Sequence, residues 1–342
     1  MAYETLDALG DLHNKRHLVP RVIQRWSDGV QGYSHLLALH ASSLVDVGAF
    51  DEAEDLGMRS LALDSSSRIA LAAVASAMIA QNRPREAVRL LREFRDSWQD
   101  EDATNPSGTL TRAQQKLGWL WALAEIEQGQ YENALRRFHD FGRTKSTLRE
   151  VDAGNLRRPS WPLVDAVSLL HRLRMCGMDV DEPWSELVDR YADVTTAGSG
   201  DRAALFDVHL SLLIPDAVRN TRENMTTPTE ELCDAMRMST SNPVKAEERL
   251  RPLRFKLEEA MGGSFLHRDL IHWIALDCSI RGKSYAWGQA LASERISRHP
   301  AHAHAWRMYA EILHGIGNVP DADSAYIRAL DLGLGQGGSH AH

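Results

Sequence analysis

The residues whose types and spacing could do chemistry lie in the second half of the chain. Gly262-Gly263-Ser264 precedes a predicted helix that carries Arg268 and Asp269. Ser264 is placed to cap that helix. The two glycines and the first-turn amides would make a pocket for an anion, with Arg268 as a bidentate clamp. The competing structural role is a cap plus a buried ion pair, with Arg268 reaching a carboxylate such as Asp165 on a neighbouring helix. Asp207 and His209 are the candidates for proton exchange. Two apart on one helix, they diverge by about 200° and cannot converge on one atom. A structural role therefore competes here too, with His209 bonded to a backbone carbonyl or to Asp165. Arg172 would help Arg268 hold an anion. The expected ligand-binding set is thus Asp165, Arg172, Ser264, Arg268 and Asp269.

No catalytic nucleophile is assigned. The chain has no Gly-x-Ser-x-Gly, no phosphate loop, no His-Glu-x-x-His and no dinucleotide fingerprint. His299, His302 and His304 flank Pro300 at a helix start, where a solvated turn is expected rather than a metal site. His267 and His272 are five apart and need not share a face. Cys176, Cys233 and Cys278 are far apart and odd in number, so they read as buried thiols. Trp119, Trp121 and Trp161 read as core. No metal and no cofactor are expected.

The elements that must position these residues are helical hairpins. In Arg298–Leu334, Trp306 and Ala310 share a face, Gly317 ends the first helix, Ala322 takes a close crossing, and Tyr326 and Ala329 continue the inner face of the second. This is the tetratricopeptide arrangement, whose hairpins bury their apolar faces only by stacking. Gly48 with Ala53, Asn82 with Ala87, and Gly129 with Ala134 repeat the same offsets. Asn82 follows Gly48 at the roughly 34-residue period of that repeat. The expected fold is all-α, a tetratricopeptide-repeat-like solenoid of antiparallel hairpins. Residues 1–30 form an N-terminal cap in which Pro20 interrupts helical structure. N-terminal repeats cover 31–142, a linker 143–160, C-terminal repeats packed on the first part 161–336, and a tail 337–342. A polar loop is expected over 100–108 and another over 215–229, with a helix over 244–260.

Three motifs carry a resemblance. They are Asp165-Ala166-Val167-Ser168-Leu169-Leu170-His171-Arg172-Leu173 with Gly177-Met178-Asp179-Val180 and Trp184; Phe206-Asp207-Val208-His209; and Leu250-Arg251-Pro252-Leu253-Arg254 with Gly262-Gly263-Ser264-Phe265-Leu266-His267-Arg268-Asp269. The chain resembles, from about residue 30 to the last hairpin, the family of tetratricopeptide repeat protein 38. The resemblance implies a helical repeat fold and no well-established reaction. Members tend to carry histidines in the first helix of the second hairpin. Here Ala72 and Ser76 stand at those positions, and Trp119-Leu120-Trp121 in the third hairpin lacks histidine. A polar site lined by the family's histidines would be depleted here.

The formal net charge is −8, which disfavours nucleic acid where basic residues are not segregated. No apolar run reaches the roughly 20 residues of a membrane span, and the acidic start lacks a signal pattern. A cytoplasmic location is expected. Two functions follow. The first is a non-catalytic interaction protein holding a protein or peptide partner on its concave face, with a second copy of the chain as a further candidate. The alternative is an enzyme or small-ligand binder, with a polar pocket for a small anionic ligand between the middle and C-terminal repeats.

Overall fold

A computed structural model describes residues 2–9, 11–99, 111–142, 161–196, 204–215 and 227–337. Every regular element among them is helical. In chain order these are α1 (Ala2–Leu9), α2 (Leu12–Ile23), α3 (Tyr33–Asp46), α4 (Phe50–Leu63), α5 (Arg68–Ala80), α6 (Pro84–Glu93), α7 (Arg95–Gln99), α8 (Arg112–Glu127), α9 (Tyr131–Gly142) and α10 (Trp161–Met175). There follow α11 (Asp181–Thr196), α12 (Ala204–Leu213), α13 (Thr227–Ser241), α14 (Pro243–Leu253), α15 (Leu257–Met261), α16 (Phe265–Arg281), α17 (Tyr285–Arg298), α18 (Ala303–Ile316) and α19 (Val319–Gly337). The linker expected over 143–160 and the loop over 100–108 fall outside the described residues.

Neighbouring helices pack as pairs, α3 on α4, α5 on α6, α8 on α9, α13 on α14, and α18 on α19. The turn residues are those the offsets require. Gly48 (φ 82), Gly129 (φ 73) and Gly317 (φ 90) end their helices in the left-handed region, and Asn82 does so at φ 62. Asparagine is tolerated there because its short amide can bond locally. Pro84 then opens α6, where its missing N–H costs nothing. Ala53, Ala87, Ala134 and Ala322 are all buried at the crossings. One apolar cluster runs from Ala38 of α3 to Ile312 of α18. The helices before and after 143–160 therefore share a core.

Three expectations need correction. Pro20 lies inside α2 without ending it. The helix expected over 244–260 is two, because the chain turns at Arg254–Lys256 between α14 and α15. Tyr326 is half exposed, while Ala329 is buried. In a stacked array such a ring covers the following repeat, and among the described residues no helix follows α19. No helix among the described residues is long and apolar enough to cross a membrane.

Two contacts join the beginning of the array to its later part. Phe50 meets Phe265 edge to face, centroids 4.9 Å apart. The Arg268 guanidinium donates to the carbonyl of Asp46 at the end of α3. Together they set α16 against the first hairpin and enclose the inner side of the array.

Candidate functional site

The site starts with the turn before α16. Gly262 and Gly263 both have positive φ, 60° and 73°, a region that side chains with a Cβ rarely adopt. A Cβ on Gly263 would also lie 2.8 Å from Leu205 Cδ1 of α12. Arg268 ties the turn down from inside, donating to the carbonyls of Gly262 and Gly263 as well as that of Asp46. Replacing Gly263 by Ala should therefore lower stability by roughly 1–3 kcal/mol. Gly333→Ala, where nothing lies within 4 Å, serves as the control. Equal urea midpoints for the two variants would show that the turn carries no such constraint.

This turn delivers Ser264 as the N-cap of α16, with φ −74 and ψ 159. Its hydroxyl makes no capping bond. Instead Ser264 Oγ lies 2.8 Å from Nδ1 of His267, one helical turn on. The other ring nitrogen, His267 Nε2, lies 2.8 Å from Oδ1 of Asp165 on α10. A carboxylate only accepts, so Nε2 carries the proton and Nδ1 is left to accept from the serine hydroxyl. Hydroxyl, imidazole and carboxylate thus form one hydrogen-bonded chain across two helices.

The ring is fixed on several sides. The Trp119 indole of α8 stacks on it, centroids 4.7 Å apart and planes 19° from parallel. His209 of α12 meets it edge on, at 5.8 Å. Lys116 Nζ sits 3.7 Å from the Trp119 ring centroid and 3.4 Å from Asp165 Oδ1. Burial, reinforced by the Lys116 charge, pushes the His267 pKa down to about 3, against the pull of Asp165. The imidazole is therefore neutral at physiological pH. Burial tends to raise the Asp165 pKa, but Lys116 and the His267 hydrogen bond outweigh it and hold the carboxyl below its usual range.

Ser264 and Asp165 both open onto a cavity of about 400 Å³. Its other walls come from α1, α2, α3, α5 and α8, including the first helices of the first three repeat pairs. Leu39, Val45, Ile69 and Ala72 supply apolar wall, and Lys15, Arg68, Arg112 and Lys116 supply cations. Lys15 is neutralised by Asp46, Nζ to Oδ2 2.6 Å. Ala72 and Ser76 both line this cavity.

No protein-family model matches this chain.

The expected site residues divide into two groups. Asp165 and Ser264 meet at the cavity, but Asp165 pairs with His267 and Lys116, and the expected Asp165–Arg268 pair is absent from the described contacts. Arg268 is committed to backbone carbonyls, with Glu258 3.7 Å away. His209 holds the Leu205 carbonyl through Nδ1 at 2.8 Å, the structural role weighed for it, and Asp207 is buried on the same helix. Arg172 and Asp269 sit elsewhere, in a lock between α10, α16 and α17. Asp269 accepts from both guanidinium nitrogens of Arg295, at 2.9 and 3.2 Å, and from the Trp273 indole at 3.1 Å. Arg172 approaches the same carboxylate at 3.7 Å and donates to the Leu266 carbonyl at 2.6 Å.

The solvated turn expected around Pro300 is also corrected. His302 and His304 are buried against the Trp273 ring, centroids 5.0 and 5.1 Å away. His302 faces the buried Glu127 carboxyl at 3.6 Å. The three cysteines are free and buried, as read from their spacing. Trp119 and Trp121 are buried core, and Trp161 has no described side chain. Sequence reasoning passed over His267, which it weighed only against His272. The usable signal was Ser264-Phe265-Leu266-His267, because residues three apart at a helix start can touch.

Proposed function

We propose that the chain is an enzyme whose nucleophile is Ser264, acting on an acyl compound held in the cavity. The Ser264–His267–Asp165 hydrogen-bonded chain, opening onto that cavity, carries this reading. As Ser264 Oγ attacks the carbonyl carbon, its proton passes to His267 Nδ1. Asp165 stabilises the imidazolium that forms. The carbonyl π electrons move to oxygen, beside the first-turn amides of α16, a position where helix N–H groups favour negative charge. Collapse breaks the bond to the leaving oxygen or nitrogen, which takes the proton from His267. Water then repeats the sequence on the acyl-serine. It gives up a proton to His267, and Ser264 leaves with it, so the net reaction is hydrolysis. Ring use is reversed relative to the commonest serine triads, with Nδ1 toward the nucleophile, and the roles need only geometry.

A non-catalytic interaction role, with a protein or peptide partner on the concave face, leaves this chain of three groups unexplained.

The test is covalent labelling with a fluorophosphonate, which requires an activated serine hydroxyl. Wild type should be modified at one site, mapped by mass spectrometry to Ser264. Ser264→Ala should abolish labelling, and His267→Gln or Asp165→Asn should slow it at least about 100-fold. Asp165→Asn preserves shape while removing the charge and the acceptor that fixes the His267 tautomer. Wild type that resists the probe, or reacts at another serine, would remove the nucleophile assignment.

A further inference from the structure

The cavity beside Ser264 is walled mainly by carbon. From α3 come Leu39, Ser42 and Val45, and from α5 come Ala72, Ala73 and Ser76. Each set recurs every three or four residues and so lies along one side of its helix. Short side chains on α5 leave open the space that larger ones would fill. The resulting volume, about 400 Å³, is that of a small-molecule site.

The ions on its walls are already engaged or stand in solvent. Lys15 holds Asp46 at 2.6 Å, and Lys116 lies 3.4 Å from Asp165. Arg68 is half-buried and donates to the Ser97 carbonyl. Arg112 is exposed and has a partner of its own. A charged group entering between these walls would give up water without gaining a buried counter-charge. A second observation points to a neutral ligand. Ser76 is 8% exposed, lines the cavity and makes no side-chain hydrogen bond to a described residue. Ser211 and Ser279, by contrast, turn back to the carbonyl four residues earlier. The Ser76 hydroxyl is thus left to the cavity, where a neutral polar group on a ligand would meet it.

We infer that the cavity takes an uncharged ester with an unbranched hydrocarbon acyl chain of medium length. The carbonyl lies at Ser264 and the chain lies along α3 and α5. In its chemistry, this inference rests on the proposed Ser264 reaction. Hydrolysis then converts the neutral ester and water into an alcohol and a carboxylic acid. That acid ionises at neutral pH, and walls that accept the ester hold the anion poorly. The change of charge therefore favours release of the product. In its binding, the inference stands apart from the reaction, and the experiment uses that separation.

The probes are methyl octanoate, methyl butanoate and octanoate, titrated into Ser264→Ala by calorimetry and thermal shift. This variant binds without reacting. Each buried methylene is worth about 4-fold in affinity, so methyl octanoate should bind at least about 50-fold more tightly than methyl butanoate. It should also bind at least about 10-fold more tightly than octanoate, and added salt should not weaken it. In the Ser264→Ala background, Ala72→Leu fills the cavity and Ile69→Gln makes its wall more polar. Each should lower methyl octanoate affinity at least about 5-fold. Ile69 is 37% exposed, so its replacement spares the core, and unfolding midpoints without ligand will show that the fold is kept. Equal binding of the two esters, tighter binding of octanoate, or affinity unmoved by both substitutions overturns the inference. Fluorophosphonate labelling at Ser264 is independent of that result. Conversely, the expected ester binding without labelling would sink the nucleophile and leave the apolar site.

Discussion

Acidification from pH 7 to pH 5 should unfold the protein cooperatively, because the fold buries several neutral histidines. Burial is the leading cause in each case. It pushes His171, His267 and His304 down to about 3 and His209 and His299 to about 4, and it holds His302 well below 6.5. The unfolded chain binds these protons near pH 6.5, and the native state refuses them until far lower. The stability tied to each ring is therefore fully present above pH 6.5 and is lost as pH falls toward its native value. The slope is about 1.4 kcal/mol per pH unit for each ring fully engaged. Between pH 6.5 and 5 the six together forfeit on the order of 10 kcal/mol, comparable to a whole domain's stability. Glu127 works the other way. Burial raises its pKa to about 7, and burial raises Glu125 and Glu311 as well, so the native state gains from their protonation as pH falls, but three carboxyls do not offset six imidazoles. Urea titrations at pH 7, 6 and 5 check this. His304→Gln should flatten the dependence by about one proton. A midpoint that does not move across this range would mean the rings are hydrated or already charged in the native state.

The second large effect is expected at Asp269. Its carboxylate is the common partner of Arg295, Arg172 and the Trp273 indole. Both guanidiniums are buried, and both lie over the Trp273 ring, Arg295 at 4.6 Å and Arg172 at 5.9 Å from its centroid. Asp269→Ala leaves two like charges facing each other at the wall of a pocket of about 170 Å³ that Asp269 and Arg295 line. Removing one member of a buried ionic cluster typically costs about 3–5 kcal/mol. The double variant Asp269→Ala with Arg295→Met should recover part of that loss, because it removes a charge that no longer has a partner. A single-variant loss below about 1 kcal/mol would mean that water or another carboxylate neutralises the arginines.

The repeat scaffold was legible from spacing because its constraints are local. A left-handed turn needs Gly48, Asn82, Gly129 or Gly317. A close crossing needs Ala53, Ala87, Ala134 or Ala322. The ends of the array were harder, since Pro20 is carried within α2 and Tyr326 meets no following helix among the described residues. At the candidate site, Ser264 and Asp165 were legible as polar residues within helical motifs. Their partner was not, because Asp165 and His267 are brought together by the packing of α10 on α16. The apparent anion clamp, Arg268, has the composition of a ligand residue but is consumed by carbonyls that the glycine turn exposes. The His302–His304 stretch looked solvent-facing because histidine near a proline usually is. In this chain those imidazoles fill space beside Trp273 that an apolar residue would ordinarily occupy.

The bond from Arg268 to the Asp46 carbonyl, with Phe265 resting on Phe50, has a consequence for biogenesis. An open solenoid can settle repeat by repeat as it leaves the ribosome. Here the basin between the early hairpins acquires its floor only after the polypeptide has been translated past Arg268. Until then the nascent molecule has the aliphatic lining of that basin bare to its surroundings. A chaperone that shields such surface during elongation would have its longest window of action on this segment. A stop codon placed between α15 and α16 should yield a protein that is helical by circular dichroism yet sticky.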